Sequence, residues 1–219
     1  MRKDSLVIGE IYHIFNKSIA GFAIFNNESE FSRMRDVVRY YQIKKPAIKF
    51  SRYIRFRTDQ DKNNDDIASI GKEKLVEIIA YCIMPTHLHL ALKQLTKDGI
   101  SIFMSTILNS YTRYFNTKHK RKGPLWESRF KSVLVETDEQ LLHLTRYIHL
   151  NPVTAFLVDK PEEWKASSYN EYLLKVSGSD RTCNYDGILD IEPSSYRKFV
   201  EDRISYQREL AKIKELLIE

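Results

Sequence analysis

Apolar and polar positions follow one another along the chain in a definite order. Residues 7–15 (Val-Ile-Gly-Glu-Ile-Tyr-His-Ile-Phe) are rich in β-branched and aromatic types and predict a strand. Asn26-Asn27 offers a cap, and Phe31, Met34, Val37, Val38 and Tyr41 then recur at helical spacing, predicting a helix over 28–42. Residues 44–72 are basic up to Arg57, polar from Thr58 through Asp66, and without clear periodicity; they read as an inserted or elaborated loop. Residues 75–83 predict a buried strand, Met84-Pro85-Thr86 a turn, and 87–93 a returning strand, close enough to form an antiparallel hairpin. Ile102, Phe103, Ile107, Tyr111, Tyr114 and Phe115 predict a helix over 99–118, broken by Lys118-His-Lys-Arg-Lys-Gly-Pro124. Residues 130–136 predict a fourth strand. Thr137-Asp-Glu-Gln140 has the capping-box pattern, so a helix should start at about Asp138 and end near Asn151, before Pro152.

The first six elements, strand-helix-strand-strand-helix-strand, spell the split βαβ, ferredoxin-like (RRM-like) α+β arrangement. Such a sheet carries helices on one face and leaves the other available. A last helix is expected over roughly 194–217, with Phe199, Val200, Ile204, Leu210, Ile213 and Leu217, either packing on the core or pairing with a second copy. The reading is therefore a main domain over 1–175 and a linker with a helical appendage over 176–219.

Composition narrows the class. With 219 residues, 42% hydrophobic and 12% aromatic, the chain can bury a sizeable core and is not a disordered one. No run of about 18 apolar residues is present, so no membrane span is expected, and the N-terminal residues do not predict a signal peptide. Cys82 and Cys183 lie in no metal spacing and read as buried thiols of a reducing cytoplasm. The net charge of +6 is uneven. Residues 111–131 hold seven basic side chains (Arg113, Lys118, Lys120, Arg121, Lys122, Arg129, Lys131) against Glu127 alone, whereas 186–219 hold eight acids and six bases. Tyr111, Tyr114, Phe115, Trp126 and Phe130 are interleaved with that basic block. Cations that neutralise phosphates beside rings that stack on bases suit a nucleic-acid strand; a solvated charged loop would have the same composition.

His87-Leu-His89 is the informative triplet. On a strand, His87, His89 and Ala91 share one face and Leu88, Leu90 and Leu92 the other, so the leucines supply the core and two imidazoles stand side by side. On the helix that follows Asp138, His143, Tyr147 and Asn151 line one face at i, i+4 and i+8, with Leu141, Leu144 and Ile148 on the other flank. Half-solvated histidines and an ordinary amphipathic helix would leave the same pattern.

Four ordered stretches carry a resemblance. They are Tyr81-Cys-Ile-Met-Pro-Thr-His-Leu-His-Leu90, Tyr114-Phe-Asn116 with the basic tip, Gly123-Pro-Leu-Trp-Glu-Ser-Arg-Phe-Lys131, and Arg146-Tyr-Ile-His-Leu-Asn-Pro-Val153, with Trp164 and Ser167-Ser-Tyr169 downstream. Together they resemble the REP-associated tyrosine transposases, single-tyrosine HUH enzymes of small insertion sequences, over roughly residues 8–173. Thr86 stands where that pattern has Asn and is expected to point away from the metal face; 44–72 is longer than usual. The resemblance implies an HUH endonuclease fold with extra C-terminal helices and cleavage of single-stranded DNA, with a 5′-phosphotyrosine bond formed and a 3′-hydroxyl released. It implies Tyr147 as the nucleophile, with His87 and His89, and Asn151 as a third ligand, holding Mg²⁺ or Mn²⁺. Arg113, Lys118, His119, Lys120, Arg121, Lys122, Arg129 and Lys131 would meet single-stranded or hairpin DNA. Tyr111 and Tyr114 would be core or stacking residues, Trp126 a stacking ring or a loop anchor, and His13 and His149 structural or DNA-facing. Related enzymes leave a homodimer and a monomer both open, and the expected location is the cytoplasm, with the nucleoid. A non-catalytic nucleic-acid binder derived from such an enzyme is the rival reading. A two-histidine phosphoesterase would need His143-Leu-Thr145 on a strand, where a helix is predicted instead.

Overall fold

The computed structural model describes residues 5–46, 48–58, 73–176 and 180–216. Its sheet has four strands, β1 (Ile11–Lys17), β2 (Val76–Met84), β3 (His87–Gln94) and β4 (Lys131–Val135), all antiparallel in the spatial order β2-β3-β1-β4. This is the order of the split βαβ fold anticipated from the pattern. Helix α1 (Glu28–Tyr40) follows β1, and α3 (Gly99–Lys118) follows β3. The two pack on each other, and α3 also packs on β2 and β3. Buried Tyr12 and Ile14 of β1 face across to Leu92 and Leu90 of β3, giving the core layer.

Local chemistry explains where the elements begin. Asn27 caps α1 by accepting from Glu30 N, while Glu30 Oε2 reaches back to Asn26 N at 2.8 Å. Helix α3 starts at a close approach: a Cβ on Gly99 would lie 2.2 Å from the Leu75 carbonyl oxygen, so only glycine fits. Thr137 caps α4 (Asp138–Thr154) by accepting from Gln140 N, and the Gln140 side chain accepts from Glu136 N.

Several expectations are corrected. Strand β1 begins at Ile11, not residue 7. The expected loop over 44–72 contains a helix, α2 (Phe50–Thr58), which turns Phe50 and Tyr53 inward onto Tyr40; Ala47 and residues 59–72 lie outside the described residues. Helix α4 does not stop at Asn151 but carries Pro152 inside it and runs to Thr154. A proline so near the C-terminus removes only the bond to the Ile148 carbonyl, and Ala155 N → Asn151 O at 2.9 Å closes the last turn. The expected tail helix is two, α6 (Pro193–Glu201) and α7 (Ile204–Leu216), after a single turn of helix, α5 (Tyr169–Tyr172). Both α6 and α7 pack on α4, and Tyr196 and Val200 belong to the one hydrophobic core.

The largest correction concerns the second sheet face. It is not simply left open: α4 crosses it, packing on β2, β3 and β4. Strand β2 is consequently buried on both faces, and residues 166–168 cover its outer edge, with Ile83 N → Ala166 O at 2.9 Å and Ser168 N → Tyr81 O at 3.0 Å. At the other edge, β4 is flanked by β1 alone among the described residues.

Candidate active site and nucleic-acid interface

The β2–β3 hairpin turns on Pro85-Thr86, which is tied to the segment after β1: Ile24 N and Phe25 N donate to the Pro85 carbonyl, and Ser18 N to that of Thr86. This fixes the start of β3. Register then sets Lys17 opposite His87, Phe15 opposite His89 and His13 opposite Ala91, so His13, Phe15, His87 and His89 share one face. The rings cluster: His87–His89 centroids are 5.1 Å apart at right angles, His13–His89 5.1 Å and stacked, and His13–Phe15 5.0 Å. His89 is only 7% exposed.

Helix α4 brings Tyr147 over this cluster, its ring edge-on to His89 at 5.5 Å and to His13 at 5.9 Å, while 47% of the residue remains exposed. Burial raises the phenol above its ordinary value, and the Asn151 side chain beside it offsets part of that. The Asn151 amide also donates to the Tyr147 carbonyl at 2.8 Å, so it is anchored to the turn that bears the phenol. His143, the third residue of that face, is exposed and its Nδ1 accepts from the Arg146 guanidinium at 2.7 Å, beside the Phe199 ring of α6. It is not among the residues clustered on the sheet. Thr145 is buried and bonded within the helix, so the phosphoesterase pattern is absent here.

The helix is held at this height by a buried network that sequence reasoning left undecided. His149 is fully buried, with Nδ1 2.7 Å from Tyr196 Oη and Nε2 2.8 Å from Ser168 Oγ; Tyr196 Oη donates to Thr145 Oγ1 at 2.9 Å. His149 is therefore structural, and burial pushes its pKa down to about 3.

The sheet imidazoles are suited to a cation. Burial lowers His87 and His13 to about 4; burial, then His13, His87 and Lys17, lower His89 to about 2. All three are thus neutral at pH 7 with lone pairs available. Nδ1 of His89 faces His13 and Nδ1 of His87 faces Thr86, and neither Nε2 has a hydrogen-bond partner among the described residues. Among the described residues no group of three or more His, Cys, Asp or Glu is placed to hold a metal. A closed structural site is therefore not built, whereas two imidazoles with a nearby amide, water and substrate oxygens would suit an octahedral ion that keeps most of its own water. The residues fit such a group.

The basic segment divides in two. Lys118 and His119 turn inward to buried Glu30, at 2.8 and 2.7 Å. Burial alone would raise that carboxyl, but bonds from Lys118, Asn26 and His119 hold it at about 2. Arg121 is spent on Asn116 Oδ1 and the Pro124 carbonyl. Arg113, Lys120, Lys122, Arg129 and Lys131 are exposed. Lys131 pairs with Phe15 and Val133 with His13, so both stand on the histidine face. They border a groove of about 1260 Å³ that also includes Trp126, Arg129 and Asn109. Trp126 is an anchor: its Nε1 donates to Thr112 Oγ1 at 3.1 Å and the Leu108 carbonyl at 3.3 Å. Tyr111 is a fully buried core residue bonded to the Ile24 carbonyl, and half-buried Tyr114 lies under the Arg33 guanidinium. Cys82 and Cys183 are buried free thiols, and no helix among the described residues is long and apolar enough to cross a membrane.

Residues 47–151 match a family model described as IS200-like transposase. A Haemophilus influenzae protein named as a REP-associated tyrosine transposase is 30% identical over 105 residues, 43% of this chain and 59% of that one. The chain thus spans about three-fifths of the length of that relative. A solved REP-associated tyrosine transposase bound to a REP hairpin superposes with a TM-score of 0.51 at 14% identity, covering 88% of this chain and 95% of the other, which establishes a shared fold.

Proposed function

We propose that the chain acts as an IS200-like transposase, the family whose model matches residues 47–151, and that it cleaves and rejoins single-stranded or hairpin DNA through a 5′-phosphotyrosine link at Tyr147. The observation that carries the reading is the half-exposed Tyr147 ring standing 5.5 Å from His89, on a helix pinned by the buried His149 network. Tyr147 Oη attacks the scissile phosphorus and the P–O3′ bond breaks. The phenolic proton leaves to solvent, and the 3′-oxygen takes one up to become the 3′-hydroxyl. The reverse attack by a 3′-hydroxyl rejoins the strand without an external energy source, because the phosphodiester count is unchanged.

A free phenol is only about 0.1% ionised at pH 7, and burial here makes ionisation harder still. Mg²⁺ or Mn²⁺ bound by His87 and His89, with the Asn151 amide as a third donor, would polarise the phosphate and offset that handicap. The chain's own share is positional. The sheet holds two neutral imidazoles, α4 presents the phenol edge-on to them, and Asn151 travels on the same turn as the nucleophile. Lys131 and Arg129 line the groove that opens beside Phe15, and with Arg113, Lys120 and Lys122 they are the cations available to phosphates.

The test uses a hairpin oligonucleotide with single-stranded flanks and Mn²⁺. The full chain should give an adduct that survives SDS, and Tyr147→Phe should abolish it while hairpin binding persists. An undiminished adduct in that variant moves the nucleophile elsewhere. Binding without any adduct in the unmodified protein favours the non-catalytic binder.

A further inference from the structure

Each of the paired imidazoles is held from behind by a different neighbour. Nε2 of His13, on the adjacent strand, lies 2.9 Å from His89 Nδ1, with the two rings stacked at 23°. Thr86 Oγ1, in the hairpin turn, lies 2.9 Å from His87 Nδ1. A neutral imidazole carries one proton, and whichever nitrogen holds it cannot bind a cation. With the proton on Nδ1, each ring donates to its neighbour and keeps a lone pair on Nε2. With the proton on Nε2, that N–H has no acceptor among the described residues.

We propose that His13 and Thr86 are positioning residues that accept from Nδ1–H of His89 and His87 and so lock both rings in the tautomer presenting Nε2 to a divalent cation. The proposal rests on the metal-dependent reading of this face. It assigns His13 a role that neither strand alternation nor the motif supplies. It also reverses the expectation for Thr86, whose hydroxyl meets the His87 ring instead of pointing away from the site. Half-buried Thr86 can give its own hydroxyl proton to water. His13, stacked on His89 and tilted against Phe15 with Tyr147 edge-on, has little room to turn. Partners of this kind typically change metal affinity 10- to 100-fold when removed.

Two measurements on the full chain decide it. Long-range ¹H–¹⁵N correlation of the metal-free, ¹⁵N-histidine-labelled protein at pH 7.5 should show His87 and His89 as Nδ1–H tautomers and His13 with a bare Nε2. An Nε2–H signal from His87 or His89 overturns the proposal. In Mn²⁺ titrations followed by loss of the free-ion EPR signal, Thr86→Val and His13→Phe should each weaken binding about 10- to 100-fold, with Thr86→Ser and His13→Gln recovering to within about threefold. Unchanged affinity in Thr86→Val or His13→Phe also overturns it. If the unmodified protein takes up no Mn²⁺, the metal-dependent reading fails instead, while the tautomers, observed without metal, still answer for the positioning.

Discussion

His149 gives a sharp test of how the tyrosine helix is supported. It is fully buried between α4, α6 and residue 168, bonded at one nitrogen to Tyr196 Oη and at the other to Ser168 Oγ, with the Tyr169 and Tyr172 rings against it. Its pKa is pushed from 6.5 to about 3 by burial. The folded value is depressed, so below pH 6.5 the unfolded chain binds the proton that the folded chain refuses. The stabilisation is therefore complete above pH 6.5 and is lost as the pH falls toward 3. At 1.36 kcal/mol per unit, the loss reaches about 2 kcal/mol at pH 5. Replacing His149 by Gln removes the titration and at least one buried bond, while Tyr196 Oη keeps Thr145 Oγ1 and Ser168 Oγ keeps the Tyr81 backbone, so it costs about 0.5–1.5 kcal/mol per bond lost at pH 7.5. His13, His87 and His89 also have depressed values, but they titrate in both proteins and cancel in the difference. Urea unfolding followed by Trp126 and Trp164 fluorescence should show the gap between the native chain and His149→Gln shrinking by about 2 kcal/mol from pH 7.5 to pH 5. A gap that stays constant or widens refutes the buried, neutral His149.

Glu30→Gln should destabilise the fold at pH 7 by about 1–3 kcal/mol, because it leaves Lys118 and His119 without their buried anion; the difference should fade as the pH falls from 4.5 toward 2, where the native carboxyl takes up its proton, and a deficit unaltered by pH counts against the ion pair. Hairpin binding should weaken steeply with salt. Lys122→Ala and Arg129→Ala should each lower the log–log slope by about 0.7 if that side chain meets a phosphate on a single strand, whereas Arg121→Ala should act mainly through the melting temperature, since Arg121 holds Asn116 and the Pro124 carbonyl; a flat salt response rejects the basic strip as the DNA face. Gly99→Ala should cost several kcal/mol, because its Cβ would meet the Leu75 carbonyl oxygen at 2.2 Å; wild-type thermal stability in that variant would show the contact yields freely.

The four-stranded order was legible because its signals are local: alternation in β3, a two-residue turn after β2 and a capping pattern before α4. What escaped depends on weaker or longer-range physics. Phe50, Tyr53 and Ile54 are at helical spacing inside α2, but the basic and polar residues around them hid so short a period. Pro152 reads as a stop by rule, yet within the last turn it forfeits a single hydrogen bond, less than the packing of Val153 and Leu150 returns. Phe199, Val200 and Ile204 keep a helical period across the break between α6 and α7, so periodicity alone joined two helices.

The candidate site divides the same way. His87 and His89 can be placed on one face by strand alternation alone, and Tyr147 and Asn151 on one face of a helix by their spacing. That α4 lies across the histidine face, and that His13 stands behind His89, follows only from pairing β1 with a strand more than seventy residues later. The same non-local packing changes what a substitution at the imidazoles means. The histidine face is not a free surface, since His89 is 7% exposed beneath the tyrosine helix. Truncating it to Ala removes a candidate ligand and opens a void against Tyr147 together, so lost activity there would not isolate metal binding from packing. His87, at the strand's edge, is half-buried and its ring leans on Thr86. It is the position at which ligand chemistry can be removed with the least disturbance to the fold.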